Sequence, residues 1–256
     1  VVKHLDKLYK ADAEAKGTGL KGLVLDLRND PGGLLHGAIG VSAAFLPANS
    51  VVVTTDGRVE DAKRKYIAAS EDYLRGGRDD FIKKLPEGAR TVPLIVLVNG
   101  GSASASEIVA GALQDHERAT IVGTRSFGKG SVQSIFQLRG SYALKLTTQL
   151  YYTPSGRSIQ GKGIAPDVQV MQDIPDELKG KDEIKGEASI RGHIKVNEEE
   201  QGGGSSGYVP SDRAKDKQLI WAVNFLNGKV SKAEPGEGAT LVPKPAKPEA
   251  KANLPK

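Results

Sequence analysis

Three serines stand at the junction of a predicted strand and a predicted helix, and they are the first candidates for chemistry. The apolar run Leu94–Val98 ends at a turn of sequence Asn99-Gly100-Gly101, which is typical of a buried strand followed by a sharp reversal. From Ser104 to His116 apolar residues recur at helical spacing. A nucleophile fits this junction, because the turn exposes its side chain and the helix N-terminus offers unpaired N–H groups to a developing anion.

The same serines also fit a purely structural role. Ser104-Ala-Ser106-Glu107 matches the capping box Ser-x-x-Glu, in which the serine closes the end of a helix and does no chemistry. This segment alone therefore favours the capping role over the catalytic role.

A lysine further along the chain favours the catalytic interpretation. Ala119–Gly123 is predicted to be a second strand, and Lys129 follows it between two glycines, where backbones can approach each other closely. Gln133 lies four residues further on, and in an extended segment both side chains would point to one face. A serine needs a base to become a nucleophile, and neutral lysine is that base in Ser-Lys variants of the catalytic triad.

Two other interpretations compete with a Ser-Lys pair. The segment Gly123–Lys129 matches most of the phosphate-binding loop G-x-x-x-x-G-K-[ST]. However, Gly130 replaces the final hydroxyl residue, and a strand-like alternation follows where a helix should begin. A Ser-His-Asp triad would use His36 and Asp26, on either side of a glycine turn near the N-terminus. We expect His36 to lie on a helix surface instead.

Four motifs then carry a family resemblance. In chain order, they are LVLDLRNDPGGLL, SASASEIVAGALQD, FGKGSVQ and YYTPSGRSIQGKGIAPDV. Together they span roughly Leu20 to Val170. They resemble the motifs of the carboxyl-terminal processing peptidases, also called tail-specific proteases, which are serine enzymes with a Ser-Lys catalytic pair.

The resemblance implies a role for individual residues. The nucleophile of the family is the middle serine of S-A-S-A-S, which is Ser104 here, and the base corresponds to Lys129. The glutamine that orients the lysine corresponds to Gln133. The oxyanion hole resembles the N–H of Ala105 together with one glycine of the D-P-G-G turn, Gly32 or Gly33.

The alternation of strands and helices from Leu20 to Gly123 predicts an α/β fold. The resemblance implies a crotonase/ClpP-like core of stacked strands and helices, with a late hairpin and a C-terminal helical and disordered extension. The implied activity is that of a serine endopeptidase, which cleaves near the C-terminal ends of protein substrates through an acyl-enzyme. The alternative is a crotonase-like domain that binds acyl-CoA, or a catalytically silent scaffold. Neither alternative needs both Ser104 and Lys129.

Composition divides the chain into three predicted parts. Residues 1–170 are the peptidase core, with a hairpin of Ser131–Leu138 and Tyr142–Tyr152 and an exposed helical excursion over Arg58–Arg90. Residues 171–228 are a C-terminal extension, which contains a flexible linker at Glu198–Gly207 and an amphipathic helix at Asp216–Leu226. Residues 229–256 are rich in Pro, Lys and Ala, and we expect them to be disordered.

Composition also limits cofactors and partners. The absence of cysteine excludes disulfides, thiolate metal sites and a cysteine nucleophile, and no His–carboxylate pair has zinc spacing, so we predict neither metal nor cofactor. The net charge of +5 is not concentrated in a patch with interleaved aromatic residues, which argues against nucleic acid. We expect protein or peptide substrates bound by their C-terminal region, and a homo-oligomer or adaptor contact through the Asp216–Leu226 helix.

The resemblance implies a location in the bacterial cell envelope, either periplasmic or membrane-associated. The sequence starts at Val1 without a signal segment, so we expect it to be a fragment of a longer protein. Members of the family usually carry a PDZ-like domain, which captures the C-terminus of a peptide, before the region that begins here. The segment before Leu20 is too short to be such a domain.

Overall fold

The computed structural model describes residues 1–76, 79–196 and 204–243. In chain order, its helices and strands are α1 (Val2–Glu14), β1 (Leu23–Asp26), α2 (Leu35–Ala43), β2 (Val51–Asp56), β3 (Arg64–Ile67), α3 (Ser70–Tyr73), β4 (Leu94–Val98), α4 (Ala105–Asp115), β5 (Thr120–Gly123), β6 (Ser131–Gln137), β7 (Ala143–Tyr152), β8 (Val168–Val170), β9 (Glu183–Lys185), β10 (Gly204–Ser206), α5 (Lys217–Leu226) and β11 (Ala239–Leu241). The predicted α/β class and the late hairpin of β6 and β7 are confirmed. No helix within the described residues combines the length and the apolar character that crossing a membrane requires.

A five-stranded sheet lies at the centre of the fold, in the order β1-β4-β5-β8-β11. The first four strands are parallel, and β11 runs antiparallel to β8. Strand β4 is buried along its whole length, because both faces of the sheet are covered. Its residues Leu94, Val96 and Val98 pack in the cluster that contains α2 and α4, whereas Ile95 and Leu97 pack in the cluster on the opposite face.

The order of the strands brings three turns together at the carboxyl ends of the parallel strands. Strands β1, β4 and β5 are parallel neighbours, so their carboxyl ends lie side by side. The chain leaves β1 through Arg28–Gly33, leaves β4 through Asn99–Ser104, and leaves β5 through Thr124–Gly130. Of the residues to which the family resemblance gives a role, Ser104, Lys129, Gly32 and Gly33 lie in these turns, whereas Ala105 begins α4 and Gln133 lies in β6.

The charged segment Arg58–Arg90 departs from the predicted helical excursion. Arg64–Ile67 is strand β3, which pairs antiparallel with β2, and the α-helix that follows has a single turn. The buried carboxylate of Asp72 explains this conformation, since it accepts hydrogen bonds from the Ile67 N–H at 2.8 Å and from the Arg64 guanidinium at 2.7 Å. The composition of this segment favoured a longer helix. The tertiary contacts of Asp72 instead hold it as a strand and a short helix.

The C-terminal extension packs on the face of the central sheet opposite α2 and α4. The amphipathic helix predicted at Asp216–Leu226 is present as α5, and its residue Trp221 packs with Ile95 and Leu97 of β4. The predicted linker Glu198–Gly207 falls partly outside the described residues, and its last part contains strand β10, which pairs with β9.

The segment after α5 also departs from the prediction of disorder from residue 229. Ala239–Leu241 is strand β11, paired with β8, and the carbonyl of Pro235 accepts a hydrogen bond from Trp221 Nε1 at 2.7 Å. The physical reason is that β8 would otherwise leave an unpaired edge on the central sheet. Residues 244–256 of the predicted tail lie outside the described residues.

Replacement of Trp221 by Ala should destabilise the chain by about 3–5 kcal/mol, because it removes a large side chain that is only 6% exposed. Trp221 is the only tryptophan, so unfolding in urea should be followed by far-UV circular dichroism. The matched control is Val223→Ala on the same helix, where the side chain is 45% exposed and the expected change is within about 0.5 kcal/mol. Equal effects of the two substitutions would contradict docking of α5 on the sheet.

Candidate active site

Ser104 occupies the N-cap position of α4 in an unusual backbone conformation. Its φ is 56° and its ψ is −113°, a region that residues other than glycine rarely adopt. Such a conformation is costly, and it is found where a sharp strand-to-helix turn presents a nucleophile. The turn after β4 therefore holds Ser104 in a strained geometry that a plain helix cap does not require.

The three neighbouring serines differ sharply in accessibility. Ser102 is fully buried, and its hydroxyl donates to the Leu27 carbonyl at 2.7 Å while it accepts the Asn99 N–H at 3.0 Å. Ser106 is only 3% exposed. Ser104 is half-buried, so it is the serine of this group that a ligand can reach.

The glycine turn after β1 lies directly against Ser104. The Ala103 N–H donates to the Asp30 carbonyl at 3.0 Å, which joins the two turns. Gly32 has a φ of +93°, and a Cβ atom at this position would lie 2.6 Å from the Ala105 nitrogen and 3.1 Å from Ser104 Cβ. Only glycine therefore allows this close approach.

The N–H groups next to Ser104 differ in their availability. The Ala105 N–H belongs to the first residue of α4, where the helix provides no acceptor. The Gly32 N–H donates to the Asp30 carboxylate at 3.0 Å. Gly33 is exposed at the tip of the same turn. Of the two predicted glycines, Gly33 is thus the one whose N–H is not used by the Asp30 side chain.

Two asparagines fasten the glycine turn to the serine turn. The side-chain oxygen of Asn99 accepts the Asn29 N–H at 2.9 Å and the Gly101 N–H at 3.0 Å. The Asn99 amide in turn donates to the side-chain oxygen of Asn29 at 3.1 Å. Because one side chain bonds the backbone of both turns, their relative position is fixed.

A buried carboxylate joins the serine turn to the lysine loop. Glu107 is 0% exposed, and its Oε2 accepts the N–H groups of both Ser104 and Lys129, each at 2.8 Å. These two backbone nitrogens are therefore at most twice that distance apart. Oε1 accepts the Ser126 hydroxyl at 2.5 Å and the Gly128 N–H at 2.6 Å. All four partners donate, so the geometry matches the ionised form of Glu107.

Two opposing effects act on the pKa of Glu107. Together they raise this pKa to about 7, and burial is the larger effect, because desolvation penalises the charged form. The hydrogen bonds from Ser126, Gly128, Ser104 and Lys129 stabilise the carboxylate and lower it. The net result is a carboxyl group that changes its charge near neutral pH, at the point where the two predicted catalytic segments meet.

The fourth sequence motif, which contains Gln160 and Gly161, supports the lysine loop from its other side. The Gly161 N–H donates to the Gly128 carbonyl at 2.9 Å, and the Gly130 N–H donates to Gln160 Oε1 at 3.1 Å. The Phe127 N–H donates to the Ser102 carbonyl at 3.0 Å. Lys129 is thereby held between two segments and is half-buried.

The structure places Gln133 differently from the expected shared face with Lys129. A register shift between Val132 and Gln133 interrupts the alternation of β6, so the period of two does not run unbroken from Lys129. Gln133 is exposed, and within the described residues no hydrogen bond joins it to Lys129. Ser104 and Lys129 are brought together through their backbones, and the role of Gln133 stays a prediction.

The two competing sequence interpretations find no support in the geometry. Both carboxylate oxygens of Asp26 accept hydrogen bonds from Arg28, at 2.9 and 2.7 Å. Across the described ranges, no hydrogen bond connects His36 with Ser104 or Asp26. Strand β6 follows Lys129, where a phosphate-binding loop would require a helix.

Glu107 is the residue whose importance the sequence did not reveal. The Ser-x-x-Glu pattern predicted its bond to the Ser104 N–H, and that bond is present. Its bonds to Ser126, Gly128 and Lys129 had no signal in the sequence, because they join residues that lie far apart along the chain. The remaining clue was a carboxylate directly before residues 108–113 of α4, which are all apolar or glycine.

Comparisons with known proteins agree with the resemblance found in the sequence. Residues 3–170 match the sequence model of peptidase family S41. A carboxy-terminal-processing protease of Bartonella bacilliformis is 52% identical over 215 residues, which cover 84% of this chain and 46% of that protein. A carboxyl-terminal-processing protease of Synechocystis is 41% identical over 156 residues, which cover 61% of this chain and 32% of that protein. The chain thus spans about half the length, or less, of these curated relatives.

Solved structures give the same result. The photosystem II D1 C-terminal processing protease is 34% identical with a TM-score of 0.51, and the match covers 70% of this chain and 42% of that one. An S41 protease from Bacteroides fragilis has a TM-score of 0.56 at 17% identity, over 88% of this chain and 50% of that one, and supports the fold alone. Because the family model extends from α1 to the end of β8, the chain belongs to peptidase family S41.

Proposed function

We propose that the chain carries the catalytic centre of a serine endopeptidase, which cleaves protein substrates near their C-terminal ends. The observation that carries this proposal is the shared contact of Ser104 and Lys129 with Glu107 Oε2. It brings a strained, accessible serine and a half-buried lysine to the same point at the edge of the sheet. A crotonase-like acyl-CoA site or a silent scaffold has no use for this arrangement.

In the proposed reaction, Ser104 is the nucleophile and Lys129 is the general base. The Ser104 oxygen attacks the scissile carbonyl carbon while the neutral Lys129 amine takes the hydroxyl proton. When the C–N bond breaks, Lys129 returns this proton to the leaving amine. Water then hydrolyses the acyl-enzyme with Lys129 again as the base, which restores Ser104. Only a neutral amine can serve, because an ammonium group has three donors and no acceptor.

The proposed oxyanion hole combines N–H groups from two turns. The Ala105 N–H stands at the start of α4, and Gly33 stands in the turn that packs against Ser104. We assign the second donor to Gly33, because the Gly32 N–H already donates to Asp30. Two such donors stabilise the negative charge that develops on the carbonyl oxygen in the transition state.

Glu107 acts as a positioning residue in this proposal. It does not touch the reacting atoms through its own side chain, but it holds the backbone of both Ser104 and Lys129. As the acceptor of four hydrogen bonds, it fixes the distance between the turn and the loop. Precise placement of this kind matters, because misplacement by about 1 Å can reduce a catalysed rate about 100-fold.

The substrate class, the location and the partners are carried over as proposals from the family. The relatives are named carboxy-terminal-processing proteases and are bacterial, so we assign protein substrates recognised by their C-terminal region and a place in the cell envelope. Helix α5 packs the face that carries Trp221 against the sheet. Ile220 and Val223 are exposed, and we assign them to an oligomer or adaptor contact. Sedimentation of wild type and Val223→Glu would test that contact. If this face forms the contact, the variant should sediment as a smaller species than wild type.

Replacement of Ser104 by Ala should abolish hydrolysis of fluorescein-labelled casein and labelling by a fluorophosphonate, while the circular dichroism spectrum persists. The reason is loss of the attacking oxygen. Ser106→Ala is the matched control and should retain activity, since Ser106 is buried in α4. An active Ser104→Ala variant together with an inactive Ser106→Ala variant would overturn the assignment.

Replacement of Lys129 by Arg should eliminate turnover, because a guanidinium stays protonated and cannot accept the serine proton. The control is Lys145→Arg, on the exposed part of β7, which should leave the rate of casein hydrolysis unchanged. If Lys129→Arg hydrolyses casein while His36→Ala does not, the base is a histidine and the Ser-Lys mechanism is wrong.

The raised pKa of Glu107 predicts a dependence of stability on pH. Between pH 4.5 and about 7 the folded chain binds a proton at Glu107 that the unfolded chain has released. The free energy of unfolding should therefore fall as pH rises through this window, by roughly 3 kcal/mol at most. Urea denaturation across the window should show this slope in wild type and in the exposed control Glu87→Gln.

Glu107→Gln should lack that slope, because it has no titrating group at this position. It should also reduce casein hydrolysis, since an amide NH₂ would face N–H donors of the serine turn or the lysine loop. Identical slopes in wild type and Glu107→Gln would show that Glu107 does not titrate as its burial requires.

A further inference from the structure

The side chain of Arg28 lies buried at the base of the glycine turn. This side chain is 3% exposed, and all five N–H donors of its guanidinium are used. Nε and one Nη group bond the Asp26 carboxylate at 2.9 and 2.7 Å, and the remaining donors bond Asp216 and Gln218. A guanidinium with every donor satisfied in one geometry cannot turn without breaking several hydrogen bonds.

Asp216 is the partner that reaches Arg28 from the C-terminal extension. Its two carboxylate oxygens accept from the two Nη groups of Arg28, both at 2.8 Å, although the residues are 188 positions apart in the chain. The same carboxylate caps α5 by accepting the Leu219 N–H at 3.1 Å, and it also accepts the Gln172 amide at 2.7 Å. Asp216 is thus fixed to the helix start and to the turn at once, and its side chain is 4% exposed.

The turn that Arg28 opens is the one that packs against the nucleophile. From Arg28 the chain passes through Asn29 and Asp30, whose backbones bond the serine turn, and reaches Gly32 in contact with Ala105. Few residues therefore separate the buried ion pair from the N–H groups of the proposed oxyanion hole. A shift of Arg28 would move Gly33 relative to Ala105.

We propose that Asp216 is a positioning residue for the oxyanion hole, acting through the bidentate ion pair with Arg28. The inference rests on the proposed function, because it concerns the same site. It assigns a catalytic purpose to α5, which lies beyond the residues 3–170 that match the family model. Helix α5 then stabilises the core and also holds the Arg28–Gly33 turn at its distance from Ser104.

The test uses Asp216→Asn in the full chain, because asparagine still caps a helix but loses the charge and the second acceptor oxygen. Casein hydrolysis gives kcat and KM, and a fluorophosphonate gives the inactivation rate constant and its KI, all per titrated active site. The expected result is a 10- to 100-fold fall of kcat and of the inactivation rate constant, with KM and KI changed less than about twofold. Asp216→Glu, which keeps the carboxylate, should recover part of the lost rate.

The matched control is Asp173→Asn, which breaks an ion pair of an exposed carboxylate with Lys217 in the first turn of the same helix. It should leave every constant unchanged. If Asp216→Asn lowers only the melting temperature or the fraction of titratable sites, with kcat per site unchanged, the pair is merely structural and the proposal is overturned. An equal rise of KM and KI without a fall of kcat would overturn it too.

A variant that fails to fold does not end the test. Arg28→Lys keeps a positive charge between Asp26 and Asp216 but loses the planar fork, so it should show the same fall in kcat with little change in KM. An unchanged kcat in that variant contradicts the proposal. Failure of the proposed function is a separate outcome, since wild type itself would then neither hydrolyse casein nor react at Ser104.

Discussion

A carboxylate removed from water is the constraint on which the site depends. An unpaired buried charge is strongly destabilising, so Glu107 can exist in its position only if donors surround it. Those donors are the Ser104 N–H, the Lys129 N–H, the Gly128 N–H and the Ser126 hydroxyl. The cost of burial thus forces the serine turn and the lysine loop together, and any displacement of one segment leaves an unsatisfied oxygen.

The central sheet sets the approximate positions of the glycine turn, the serine turn and the lysine loop, which the Glu107 carboxylate alone cannot do. Parallel strands end on the same side, and the order β1-β4-β5 makes the glycine turn, the serine turn and the lysine loop neighbours in space. Burial of β4 on both faces makes this frame rigid, since α2 and α4 cover one face and α5 covers the other. The hydrogen bonds of Asn99 and Asp30 then refine positions that the strand order has already made close.

Buried charge serves the same purpose at both ends of the site. Glu107 accepts hydrogen bonds from backbone N–H groups near the serine turn, and Arg28 donates hydrogen bonds to carboxylates near the glycine turn. Charge-assisted hydrogen bonds are directional and strong, so a group with all its partners in place tolerates little movement. This gives the site a rigidity that apolar packing around small residues such as Gly32 and Ala105 would not provide.

The sequence by itself determined the local elements and the identity of the residues that could react. Periodicity located β4, α4, β5 and the β6–β7 hairpin, and the motifs around Ser104 and Lys129 named the family. It did not determine contacts between distant segments: the strand β3 within Arg58–Arg90, the pairing of β11, the Arg28–Asp216 ion pair and the bonds of Glu107 to Ser126, Gly128 and Lys129. Patterns along a chain report which face of one element is apolar, whereas hydrogen bonds between remote residues exist only once the elements have packed. The tertiary structure therefore decided how Ser104 and Lys129 are held. The buried Glu107 carboxylate accepts hydrogen bonds from both segments, and only the folded sheet brings these segments together.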